Sequence, residues 1–158
     1  MKRIFAVVAL FFTIGVASSM AQSYNTGIGI RAGFESGLSV KHFLNEKAAL
    51  EGILGSRWRG VTITGLYEVH NDIADAPGLR WYYGGGAHIG FYDSYRDRPW
   101  GDPNRDYTVV GIDGILGLEY TFSEVPINLS LDWKPAFDFN GDRGFWADGA
   151  ALSIRFVF

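Results

Sequence analysis

Apolar and polar residues alternate along most of the chain beyond its first two dozen positions. The pattern is cleanest at the end, over 150–158. Ala150, Leu152, Ile154, Phe156 and Phe158 share one face, and Ala151, Ser153, Arg155 and Val157 share the other. A period of two marks a strand whose faces meet different surroundings. The same alternation, punctuated by turn-forming residues, predicts eight strands: 26–34, 37–44, 48–58, 61–70, 79–93, 107–122, 126–139 and 145–158. Most are close to the ~9–11 residues that cross a bilayer when tilted. No helix of normal length and no strict repeat is predicted. Asn45-Glu46-Lys47, Ser123-Glu124-Val125 and Asn140-Gly141 read as tight turns. The connector 71–78, with Pro77-Gly78, is longer, and 94–106 is a long polar loop carrying Pro99, Gly101 and Pro103.

Sorting residues by parity separates two faces. One holds Ile28, Ile30, Leu38, Val40, Leu50, Leu54, Ile63, Tyr67, Tyr83, Ile112, Leu116, Leu118, Leu129, Leu131 and their like. The other holds the charged set Arg31, Lys41, Glu51, Arg57, Glu68, Arg80, His88, Asp113, Glu119, Asp132, Lys134 and Arg155. Phe43 and Ile53 break the rule by sitting on the polar parity, and His42 by sitting on the apolar one. A bulge or a strand end near 42–45 would account for Phe43.

Alternation does not say which face is inside. A soluble lipocalin-type barrel would turn the apolar set inward around a ligand pocket. Three features favour the reverse. The polar face is rich in glycine, including Gly27, Gly29, Gly33, Gly84, Gly86, Gly90, Gly111 and Gly117. Glycine weakens a solvated strand, but in a narrow lumen it leaves room for long side chains. The charges on that face nearly cancel, as buried charges must. Aromatic residues gather near strand ends of the apolar face: Phe34, Trp58, Trp81, Phe91, Tyr120, Phe122, Trp133, Phe137, Trp146, Phe156 and Phe158. That is the pattern of interfacial girdles.

Composition and targeting agree. Met1-Lys-Arg3, an apolar run to Val16 and Ser19-Met20-Ala21 read as a secretory signal, 1–21, cleaved before Gln22. The run is too short for a membrane helix. The chain 22–158 is then one exported domain. It contains no cysteine, which excludes disulfides, thiolate chemistry and cysteine-bound metal. The net charge of −3 becomes more negative without Lys2 and Arg3, which argues against nucleic acid as a partner. No cofactor motif and no metal site stand out.

The signal, the eight alternating strands, the polar-in pattern and the terminal strand ending in Phe158 together resemble small eight-stranded outer-membrane barrels of the OmpA/OmpX-like kind. The stretches Gly37-Leu-Ser-Val-Lys-His-Phe43, Gly65-Leu-Tyr-Glu68 and Leu131-Asp-Trp-Lys-Pro135 look like those of other small barrel proteins. The resemblance implies an all-β, antiparallel, up-and-down transmembrane barrel with a polar, plugged lumen. It implies a cell outer membrane location, contact with outer-membrane lipid and lipopolysaccharide, and a monomeric state. It also implies that the terminal residues Ile154, Phe156 and Phe158 serve as the signal read by the barrel-assembly machinery. It carries no enzymatic activity.

Both termini would then lie in the periplasm, and the loop 94–107 outside the cell. Tyr95, Arg96, Arg98, Trp100 and Arg105 are its candidates for meeting a surface partner. Asp102-Pro-Asn-Arg-Asp106 and Asp138-Phe-Asn-Gly-Asp142 have the alternate oxygen spacing of calcium loops. Tyr107 and Arg143 stand where such a loop needs glycine, so turn chemistry explains both stretches equally. His88 could serve as a general base, but its neighbours fit a luminal ion-pair network better. A lipid A acyl hydrolase or transferase would need a serine–histidine arrangement open to the outer leaflet. No histidine falls there, and no His-x-Ser pair exists. Eight strands enclose a lumen just wide enough for side chains, so a filled core is expected in place of an open pore. The remaining expectation is a non-catalytic barrel that supports the envelope or presents its loops to partners.

Overall fold

The computed structural model describes residues 24–57, 60–92, 107–140 and 144–158. The segment 1–21, Trp58, Arg59 and nearly all of the loop 94–107 lie outside the described residues, and with them Tyr95, Arg96, Arg98, Trp100 and Arg105.

Ten strand segments are present: β1 (Thr26–Gly33), β2 (Ser36–Phe43), β3 (Ala48–Arg57), β4 (Gly60–Asp72), β5 (Leu79–Tyr92), β6 (Tyr107–Thr121), β7 (Ile127–Trp133), β8 (Ala136–Asp138), β9 (Phe145–Trp146) and β10 (Ala150–Val157). Each pairs antiparallel with its neighbours, and β1 pairs with β10 to close the sheet. β7 and β8 both pair with β6, so they are two halves of one broken stave. β9 and β10 divide the last stave in the same way. The molecule is therefore a closed antiparallel barrel of eight staves.

Two predicted strands are interrupted, each for a local reason. The seventh breaks at Lys134-Pro135. Proline has no N–H for a ladder, and the Pro135 carbonyl instead accepts from the Gly114 N–H at 2.8 Å. The eighth breaks over 147–149, where Lys134 N–H donates to Gly149 O at 3.1 Å. The Trp133 indole N–H donates to Ala147 O at 2.6 Å. This irregular stretch changes the phase of the alternation. Trp146, expected on the outer face, points inward and is buried.

The longer connector causes no slip. Pairing between β4 and β5 runs unbroken from Gly60↔Tyr92 to Asp72↔Arg80. The connector folds on itself through Asp75 and Gly78, both at positive φ (66° and 86°). Gly78 supplies that conformation without side-chain strain. Of the bulge or strand end expected near 42–45, the structure has the strand end: β2 stops at Phe43 and keeps continuous register with β1 to His42 and with β3 to Phe43, without a bulge. Phe43 and Ile53 simply face inward, and both are buried.

The burial is inverted relative to a water-soluble protein. Thirty-one large apolar side chains are exposed on the outer wall among the described residues, including Ile30, Leu116, Leu131 and Ile154. Soluble monomers rarely expose a contiguous apolar area of this kind. The fully buried side chains are instead led by Arg155, Tyr82, Lys41, Ile53, His70, Glu51, Glu68 and Glu119. Two small apolar clusters join them inside: Tyr24, Phe43, Ala49 and Val157, and Ile53, Leu66, Tyr82 and Ile115.

Candidate functional site

Among the described residues, the lumen is where the fold gathers charged and titratable side chains. Alternation sends every second residue of each stave inward, and these side chains form two charged layers and two rims. The inner layer lies toward the end that carries residues 24 and 158. Arg155 of β10 is at its centre. Its Nη2 lies 2.5 Å from Glu51, its Nε donates to Ser39 at 2.8 Å, and its Nη1 donates to Ser130 at 2.7 Å. Ser39 also donates to Glu51 at 2.6 Å. Lys41 Nζ lies 2.7 Å from Glu68, 3.3 Å from Glu51 and 3.6 Å from Glu119, and 4.1 Å above the Tyr82 ring. Arg31 grips Asp132 with two hydrogen bonds of 2.5 and 2.7 Å. The fork geometry of arginine suits this bidentate pairing. Every ion-paired side chain in this layer is fully buried.

The outer layer lies toward the opposite end. Lys134 bridges Glu35 (2.9 Å) and Asp113 (2.8 Å). His88 presents Nδ1 to Asp113 at 2.8 Å and Nε2 to Asp138 at 3.1 Å. The Trp146 indole also donates to Asp138, at 2.7 Å. Two glycines make these arrangements possible. A Cβ at Gly117 would meet the Tyr82 ring at 2.5 Å, and one at Gly111 would meet His88 Cε1 at the same distance.

Ten of the twelve luminal residues read from the sequence lie in these layers. Arg57 and Arg80 do not; each stands at a rim. Arg57 pairs with the half-exposed Asp148 at 2.9 Å, and Arg80 with the exposed Asp72 at 2.7 Å. The near-neutral balance of the lumen gains two further carboxylates. Glu35, placed in a turn by the sequence, and Asp138, placed near a strand end, both point inward. The ion pairs of the described residues contain six cations, Arg31, Lys41, Arg57, Arg80, Lys134 and Arg155. Against them stand nine carboxylates: Glu35, Glu51, Glu68, Asp72, Asp113, Glu119, Asp132, Asp138 and Asp148. Asp72 and Asp148 are exposed, so the enclosed groups are six cations and seven carboxylates, close to neutral as a whole; the excess of carboxylates is confined to the two layers.

Other inward residues escaped the parity reading because they look like ordinary strand residues. Tyr24 donates to Glu119 at 3.2 Å, and Tyr82 to Asp132 at 3.2 Å. His70 is fully buried and stacks on Tyr82 at 4.9 Å. For His70 and Tyr82 the even parity shared with Glu68 on β4 and Arg80 on β5 was the available signal; Tyr24 lies before β1, where parity cannot be counted. The described part of the second calcium-like stretch is already engaged. Asp138 is held by His88 and Trp146, while Asn140 accepts from Val110 N–H and donates to Thr108 O. Among the described residues no group of three or more His, Asp or Glu is arranged to hold a metal ion. Ile154, Phe156 and Phe158 face outward. Phe158 is bonded through its backbone to Thr26 at the barrel seam.

The chain aligns with the crystal structure of the N-terminal β-barrel domain of Pseudomonas aeruginosa OprF. The TM-score is 0.65 at 19% identity, over 87% of this chain and all of that one. The two share the fold of a closed eight-stranded antiparallel β-barrel. No protein-family model matches the sequence, and no curated protein matches it.

Proposed function

We propose that this protein is a monomeric outer-membrane barrel that acts as a scaffold, without catalysis, for envelope integrity or for surface interaction through its outward loops. The observation that carries the reading is the inverted burial: an apolar outer wall around a charged, ion-paired interior. Lipid is the solvent that satisfies such a wall. In this reading 1–21 is the export signal. The terminal strand, with Ile154, Phe156 and Phe158, addresses the barrel-assembly machinery. Tyr95, Arg96, Arg98, Trp100 and Arg105 meet lipopolysaccharide or a surface partner. The decisive test is membrane fractionation combined with heat-modifiable gel migration. Outer-membrane partition with a boiling-dependent shift supports the reading; a soluble periplasmic chain overturns it.

Two rival activities are addressed separately. The ion pairs that cross the lumen, Arg155 to Glu51 and Arg31 to Asp132, fill the space a pore would need. Planar-bilayer recording should therefore show no sustained conductance. His88 and His70 are enclosed by charged or aromatic neighbours, and the exposed His42 lies at the barrel end that carries residues 24 and 158, where its Nδ1 meets the Thr26 hydroxyl at 2.9 Å, away from the outer leaflet in this reading. Mass spectrometry of lipid A from cells with and without the protein should show no change in acyl chains.

A further inference from the structure

The excess of carboxylates in the two layers raises a question of charge. Closing the barrel removes these groups from water, and an uncompensated charge in such a space is costly. The rim pairs Arg57–Asp148 and Arg80–Asp72 are each neutral and partly wet. Setting them aside leaves the excess unchanged: four cations face seven carboxylates in the two layers. Each layer also contains one histidine wedged between two carboxylates from different strands.

In the outer layer His88 has a carboxylate at hydrogen-bond distance from each ring nitrogen. A neutral imidazole donates from one nitrogen and offers a lone pair from the other. A lone pair aimed at a carboxylate oxygen is repulsive, so only the doubly protonated ring satisfies both contacts. The other charged or titratable groups around it are Lys134 and Glu35, joined through Asp113, with Arg57 of β3 and Tyr92 of β5 nearby. In the inner layer His70 Nε2 lies 3.5 Å from Glu68 Oε2 and 3.6 Å from Glu119 Oε2. Neither ring nitrogen has a hydrogen-bond partner, although the side chain is fully buried. Lys41 of β2, Glu51 of β3, Tyr82 and Arg80 of β5, Arg155 of β10 and Tyr24 before β1 are the other charged or titratable groups around it, Arg80 across the Phe43 ring. Glu51 is held through Oε1 by Arg155 and Ser39, while its Oε2 lies 3.3 Å from Lys41 without a hydrogen bond, and Asp132 is saturated by Arg31 and Tyr82. The shortfall falls most on Glu68, which shares Lys41 with Glu51, and on Glu119.

We propose that the folded barrel is a proton-binding protein with two luminal sites, His88 between Asp113 and Asp138, and the Glu68–His70 pair facing Glu119. The second site titrates as a unit. Two protons reduce the excess to a single negative charge, which belongs to the outer layer, where Glu35 sits in a turn at the barrel end. The folded state then binds more protons than the unfolded chain. By linkage, the stability these two sites contribute is fully present below the ordinary histidine value of about 6.5 and is lost as pH rises above it. With both sites releasing, the folding equilibrium constant changes by about a hundredfold per pH unit.

The test is proton uptake on refolding from urea into detergent micelles at pH 8, read with an indicator dye in weak buffer. Heat-modifiable migration reports the folded fraction, so failure to fold is distinguished from failure to bind. The expected uptake is about two protons per folded barrel. His88→Gln and Glu68→Gln should each lower it by about one, the latter because an amide needs no proton to be neutral. No uptake by the wild-type barrel, or full uptake in both variants, overturns the proposal. Should a variant not fold, the wild-type stoichiometry decides alone. Replacing sodium with choline distinguishes an alkali cation from a proton: uptake that rises when sodium is removed assigns the sites to sodium and also overturns it.

Discussion

The inner and outer layers of the lumen are built from the same residue types but by different architecture. The inner layer is framed by unbroken stretches of ladder. β1, β2 and β10 hold register through their pairing, and the ionic side chains between them are fully buried. The outer layer is framed partly by broken staves. β8 pairs with β6 over only three positions, Gly111↔Asp138 to Asp113↔Ala136, and its members reach the edge of water. The difference shows where a small barrel places its rigidity. Unbroken ladders fix side-chain positions well enough for three cations and four carboxylates to share one dry space. Where proline and a three-residue irregular stretch relax the ladders, single residues such as Lys134 and Asp138 tie neighbouring segments together from inside.

The largest effect should come from breaking the inner layer. Arg155→Ala leaves Glu51 without its guanidinium and removes a donor to Ser39 and Ser130. Stranding a buried charge costs about 3–5 kcal/mol. Denaturant unfolding in micelles should show a loss of this size, and a shift no larger than that of Lys47→Ala in the exposed turn would contradict the buried-layer assignment. Next comes Asp138→Asn, which weakens the ties to both His88 and Trp146. Hydrogen bonds to charged groups contribute about 1.5–3 kcal/mol, and the wetter position favours the lower part of that range. If Asp138→Asn proved as damaging as Arg155→Ala, the two layers would be energetically alike and the comparison would fail. Gly117→Ala probes packing without touching charge. The new methyl would press on the buried Tyr82 ring and on Asp132, and overpacking costs about 1–3 kcal/mol. Tyr82→Phe in the same chain should not relieve it, because ring carbons as well as the hydroxyl meet the methyl.

Much of this arrangement was legible in the sequence because strand alternation is a strict rule. It placed Arg31, Lys41, Glu51, Glu68, Glu119, Asp132 and Arg155 on one face, and closure of the barrel brought them together. Alternation fails where the backbone leaves the ladder. Trp146 was assigned outward because the irregular stretch 147–149 cannot be counted by parity. Glu35 was assigned to a turn, yet it continues the inward series of Arg31 and Gly33 and reaches Lys134. The rim positions of Arg57 and Arg80 were not legible either. Parity gives the face of a residue but not its height, and height follows from strand tilt and stagger around the closed sheet.

The smallest effect concerns those rims and sharpens the comparison from the other side. Arg57–Asp148 and Arg80–Asp72 are short, well-formed pairs at 2.9 and 2.7 Å. By distance alone they equal the pairs of the inner layer. Their carboxylates are exposed, however, at 43% and 78% of the side chain, so water already solvates them and salt screens the attraction. Exposed pairs contribute about 0–1 kcal/mol. Asp148→Asn and Asp72→Asn should therefore each shift unfolding by less than about 1 kcal/mol, and the Asp148→Asn shift should shrink further as salt is raised. Arg155→Ala should keep its effect under the same salt. The two responses, measured in one titration series, separate burial from bond length as the source of stability in this barrel.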